Sequence, residues 1–253
     1  MHFFRVSFKN SFVYRWPVVF SIAGSILYIA ICLVLWGFLF KDDPGMVSYM
    51  TRYTIFSNIV TMCYARGIHH RIGGKVASGG FVTDLIRPVN LFTMSWEMEL
   101  SDICANFITR GFPVALVYLP ALLDDPGYHN VPLAIIAVAL GHILFLLVYS
   151  LLGFSAFILI EVWPFGRLLD DTIRLLAGGF IPIALLPPFL GAIARALPFR
   201  FLYSFPLELL LGSADAGRIA ENFLLSVFWI AAFAAANLLM YRAALRKAVV
   251  QGG

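Results

Sequence analysis

Five polar residues on one face carry most of the chemistry available to this chain. In LFTMSWEMELSDICANFITRGFPVALVYLPALL (residues 91–123), Ser95, Glu99, Asp102, Asn106 and Arg110 are spaced four, three, four and four. Residues three and four apart share a helix face, so a single stripe holds all five, and Glu97 lies about 200° round from Glu99. Charges facing lipid cost at least ~2.5 kcal/mol each at the bilayer centre, so the stripe must face protein or a watery cavity. Three chemistries fit. The acids can form part of a substrate path, where they favour a cationic or amphipathic cargo. They can relay protons in a secondary transporter, although no inverted repeat is detectable in the sequence. Or Glu97, Glu99 and Asp102 can serve a membrane-embedded enzyme, which would also need a nucleophile or metal ligands, and that helix offers no His or Cys pair at suitable spacing. A plain structural reading competes with all three. In it, Glu99 and Asp102 sit in headgroup water at the membrane edge and Arg110 pairs with a neighbouring helix. Arg52, on the preceding apolar run, is a candidate counter-ion.

A second polar face lies on that preceding run, MVSYMTRYTIFSNIVTMCYA (46–65). Thr51, Thr54, Asn58 and Thr61 follow a three-four-three spacing. Hydroxyl and amide groups hydrogen-bond across helix contacts in lipid, each contributing about 0.6–2 kcal/mol, whereas threonines also bond to their own helix. The remaining motifs are negative. GGKVASGG (73–80) resembles a phosphate loop only in composition: its lysine follows the first glycine pair, and no Ser or Thr comes after it. His69 and His70 are adjacent, about 100° apart on a helix, and read as a solvated interfacial pair rather than metal ligands. No catalytic residue and no metal site is expected. Cys32, Cys63 and Cys104 lack paired spacing.

These residues sit in a chain built for lipid. Of 253 residues, 61% are hydrophobic and 13% charged, with 24 phenylalanines and a mean hydropathy of +0.88. Soluble domains average about 45–50% apolar and about 25% charged residues, so this composition predicts an all-α integral membrane protein. Phe4, Phe8, Phe12 and Trp16 recur every fourth residue with Arg5, Lys9 and Arg15 off that line, which predicts an interfacial helix over 1–16. Residues 17–40 carry no charge and are long enough to span. Further spans are expected at 46–65, 91–123, 131–160, around 172–190, and at 222–241. The stretch 187–211 is apolar but broken by Pro198 and Pro206, which suits short re-entrant helices.

Six crossings place both ends on one side. Twelve of the 18 Lys and Arg residues fall at the termini and in the loops of that side, so both termini are expected in the cytoplasm. The same distribution explains a pI near 9.0 without nucleic-acid binding. The whole chain reads as one transmembrane domain, 1–253. Its water-loving segment 66–90 is then cytoplasmic. In VTDLIRPVN, Val82, Leu85 and Ile86 fall at three- and four-residue spacing among Thr83, Asp84 and Arg87, and Pro88 ends the run. A short mixed helix of this kind suits a groove on a soluble partner.

Four features in order carry a resemblance: YRW (14–16) closing the interfacial helix, G-x-x-x-x-L-x-R-P-V-N (80–90), GGFIPIALLPPFL (178–190) running on to LPF and SFP, and the terminal KAVVQGG. The chain resembles type-2 ATP-binding cassette permeases, in the branch of small six-span subunits without a fused ATPase. The resemblance implies an exporter assembled from two permeases, identical or homologous, and two copies of a cytoplasmic ATPase subunit in the membrane of a prokaryotic cell. ATP and Mg would then bind the partner, leaving this chain without a cofactor. It also implies that Val82, Asp84, Leu85, Ile86, Arg87 and Pro88 contact the ATPase, and that 187–211 is extracellular. On this view Thr51, Thr54, Asn58 and Thr61 line the contact or path between permeases. The acidic WEMELSD (96–102) departs from the apolar pattern expected there.

Overall fold

The computed structural model describes residues 2–10, 15–64, 67–78, 80, 91–124, 127–159 and 162–251. The described residues are helical, with no strand among them. Helix α1 (His2–Asn10) precedes α2 (Arg15–Leu39) and α3 (Pro44–Cys63), and α4 (Ile68–Ala77) follows directly. The segment read as the partner contact, 81–90, lies outside the described residues, and with it Val82, Asp84, Leu85, Ile86, Arg87 and Pro88. The chain resumes in α5 (Leu91–Asn106), a π-helical turn at Phe107–Gly111, α6 (Phe112–Val117) and α7 (Leu119–Leu123). Then come α8 (Val131–Phe154), α9 (Trp163–Leu176), α10 (Pro188–Ala196), α11 (Ser204–Leu210) and α12 (Ile219–Gln251).

Among the described residues, four stretches are helical, long and apolar enough to cross a membrane: Trp16–Leu39, Met94–Val117, Val131–Phe157 and Ala216–Ala243. Helix α8 is the hub, packed against α4, α11 and α12. Its partners in the main core include Tyr64, Ile68, Ile72, Tyr203 and Phe205. Large apolar side chains on the outer faces of α2 and α12, such as Phe20, Val34, Phe38, Leu224 and Leu239, remain exposed in the isolated chain, as suits surfaces that meet lipid.

Two expectations need revising. The described part of the N-terminal interfacial helix is His2–Asn10, with Phe4 and Phe8 stacked at 6.0 Å, whereas Trp16 belongs to α2. The stretch 172–190, expected as a span, is not one continuous helix. Helix α9 ends in a Schellman turn: the Gly179 N–H donates to the Arg174 carbonyl at 2.9 Å, and Gly178 adopts φ +83°. Pro182, Pro187 and Pro188 then limit the chain to a 3-10 turn at Ile183–Leu185 before α10. The π turn after α5 has a similar cause. Pro113 has no N–H to give, and the Phe112 N–H reaches back to the Phe107 carbonyl.

The glycine pair is fixed by α3. Tyr53 Oη donates to the Gly178 carbonyl at 2.6 Å, and Ser57 Oγ donates to the Gly179 carbonyl. A Cβ at Gly178 would lie 2.8 Å from the Tyr53 hydroxyl. Gly178→Ala therefore meets both an unfavourable φ and a collision, a cost of ~2 kcal/mol or more. Thermal unfolding in detergent should show a lower midpoint for Gly178→Ala and a smaller loss for Tyr53→Phe. A Gly178→Ala protein that melts with the wild type would contradict this account of the turn.

Candidate functional site

Where α4 meets α5, three helices converge on one guanidinium. Helix α4 has no side-chain cap: its N-cap is Gly67. A neighbouring helix supplies the acceptor instead, since the Gly67 N–H donates to Glu99 Oε1 at 3.1 Å. A carboxylate at this end of α4 is also favoured by the helix dipole. Glu99 is fully buried, and its other oxygen accepts from Arg71 Nη2. Arg71 Nη1 donates to Asp102 Oδ2 at 2.9 Å, and Ser7 Oγ on α1 donates to Asp102 Oδ1 at 3.0 Å. One planar fork thus holds two acids of α5 and, through Asp102 and Ser7, the N-terminal helix. Arginine suits this site because its donors are fixed in a plane that matches carboxylate oxygens.

The acidic stripe is therefore partnered inside the subunit at Glu99 and Asp102. The counter-ion is Arg71, not Arg52. Arg52 is buried elsewhere, its guanidinium 5.9 Å from the Tyr128 ring centroid. Ser95 is fully buried, Asn106 is half-buried, and Arg110 lies half-buried in the π turn. Glu97 faces away, into an apolar cavity of about 870 Å³ between α3, α5 and α8 that Cys63, Cys104 and His142 also line.

The hydroxyl face of α3 is largely used within the chain. Thr54 is 2% exposed and accepts from Trp36 Nε1 of α2 at 2.9 Å. Its hydroxyl is thus engaged by α2 within the chain. Thr61 donates to the Ser57 carbonyl at 2.8 Å and lies 3.2 Å from the Tyr203 hydroxyl. Thr51 and Asn58 are half-buried. Asn58 and Thr61 line a small polar pocket of about 90 Å³ with Tyr28, Arg174, Gly179 and Phe180.

The histidine pair also departs from its expected solvated state. His70 is exposed, but His69 is 3% exposed, wedged where a Cβ on Gly166 would meet its Nε2 at 2.5 Å. Burial, and secondarily the neighbouring His70, push its pKa down to about 4, so it is neutral at physiological pH. Its burial seats α4 against α9.

Sequence reasoning missed Arg71 because it counted only as one of the basic residues that place segment 66–90 in the cytoplasm. The available signal was the acid stripe itself, which required a cation from a segment adjoining α5.

The family comparison is specific. A family model described as ABC-2 family transporter protein matches residues 26–252, so the chain belongs to the ABC-2 transporter family and is a membrane permease component of an ABC transporter. In that family the permease is the transport component rather than the catalyst and typically works with an ATPase partner. No curated protein and no solved structure matches the chain.

Removing Arg71 leaves a fully buried carboxylate without its cation. Breaking such a pair costs about 3–5 kcal/mol. Arg71→Met should therefore lower the unfolding midpoint in detergent strongly, and adding Glu99→Gln to it should recover part of the loss. A double variant less stable than Arg71→Met would contradict the assignment of Arg71 as the counter-ion.

Proposed function

We propose that this chain is the membrane-spanning permease of an ATP-driven exporter, paired with a second permease and two cytoplasmic ATPase subunits that engage segment 80–88. The observation that supports this most is the Arg71 cluster. Helix α4 leads directly into that segment, and Arg71 ties α4 to α5 and, through Asp102 and Ser7, to α1. A force applied at 80–88 then reaches the third span and the N-terminal helix through ionic contacts rather than a loose loop. In this reading, ATP and Mg bind only the partner. The chain crosses a prokaryotic cell membrane six times with both termini in the cytoplasm, and 187–211 faces outward as re-entrant helices. Helix α3, and α9 together with the irregular chain after it, complete the six crossings around the polar pocket of Asn58, Thr61 and Arg174.

The cluster also bears on cargo. Glu99 and Asp102 are satisfied by Arg71, Gly67 and Ser7, so they serve as a brace and give no preference for a cationic cargo. Thr51, Asn58 and Thr61 remain the residues proposed to line the permease contact or the path.

Interface energy concentrates in a few central residues, and losing an anchor often costs over ~2 kcal/mol, about thirtyfold in affinity. Leu85→Glu and Asp84→Lys should leave the permease inserted yet remove the ATPase from the affinity-purified complex. Full ATPase recovery with both variants would overturn the assignment of segment 80–88.

A further inference from the structure

The proline-broken region and the start of α12 enclose a polar vestibule of about 440 Å³. Its wall carries six charges: Arg195 on α10, Arg200 in the following 3-10 turn, Glu208 on α11, Asp215 and Arg218 before α12, and Glu221 in the first turn of α12. Four of these are matched locally. Glu208 accepts from Ser204 Oγ and faces Arg200 Nη2 at 3.7 Å. Asp215 accepts from the Gly217 N–H at 3.0 Å and faces Arg218 Nε at 3.6 Å. Both ion pairs exceed hydrogen-bonding distance, so their guanidinium groups retain donors for a ligand. Arg200 Nε is itself buried without a hydrogen-bond partner.

Arg195 and Glu221 differ from these four. Both are exposed, both line the vestibule, and among the described residues neither forms an ion pair or a side-chain hydrogen bond. One cation and one anion therefore face the same space without neutralising each other. The six charges sum to zero, so a purely anionic or cationic ligand gains at one wall what it loses at the other. A ligand bearing both signs gains at each.

We propose that this vestibule binds a zwitterionic group: its phosphate or carboxylate on Arg195 and the spare donors of Arg200, its ammonium on Glu221. Two sources share that chemistry, the head group of a membrane phospholipid and a soluble zwitterion.

The test uses the purified transporter complex in nanodiscs of mixed phosphatidylethanolamine and phosphatidylglycerol, with co-retained lipid read by native mass spectrometry. Soluble glycerophosphoethanolamine is titrated in parallel by calorimetry. Enrichment of phosphatidylethanolamine without binding of the soluble compound identifies a lipid. Binding of the soluble compound without lipid enrichment identifies a solute. In either case Arg195→Glu and Glu221→Lys should each weaken retention about tenfold, as expected for loss of one charge-assisted contact. Equal retention of phosphatidylglycerol, no binding of either probe, or single variants that behave as the wild type would overturn the proposal.

Discussion

A carboxylate with no solvent exposure cannot stand alone, and the arrangement of α1, α4 and α5 follows from that constraint at Glu99. Desolvating an ion costs several kcal/mol even after relaxation, which only close opposite charge and hydrogen bonds offset. Arg71 supplies the charge and the Gly67 N–H supplies a further bond. The cation comes from the segment just after α3, which fixes α4 against α5. Asp102 extends the same guanidinium to Ser7 and so orders α1. The buried His69, held neutral against Gly166, seats the other side of α4.

The same physics governs the opposite side of α3. Backbone carbonyls freed at a helix end must find donors within the protein wherever water is scarce. Tyr53 and Ser57 provide them to Gly178 and Gly179, while Tyr64 Oη donates to the Leu202 carbonyl at 2.7 Å. Helix α3 is more polar than its neighbours for this reason: its hydroxyls hold the irregular chain after α9 in place. Thr54 bonded to Trp36 shows the same use toward α2. A polar stripe on a membrane helix is thus often a set of internal ties.

Much of this was legible in the sequence. The uncharged run of α2, the apolar run of α8 and the helical class follow from composition and length alone, because a span must be long and apolar. The stripe of Ser95, Glu99 and Asp102 was also legible, since helical spacing is fixed. Its partner was not: Arg71 and Arg52 are both basic, and only the packing of α4 on α8 selects between them. A continuous helix was expected at 172–190 because apolar composition outweighed a local signal already present. Two glycines followed by Pro182, Pro187 and Pro188 end a helix however apolar the residues between them are. His69 was misread because the space made by Gly166, almost a hundred residues away, has no local signature.

The central claim is that this chain is the membrane half of an ABC transporter, driven through the segment that α4 supports. Intact-mass measurement of the complex purified from native membranes through a tag on this chain tests it most directly. The account predicts an assembly of two permeases, either two copies of this chain or one with a homologue, together with two copies of one soluble ATPase. Particles whose mass is explained by this chain and lipid alone, under conditions that keep other membrane complexes intact, would contradict it.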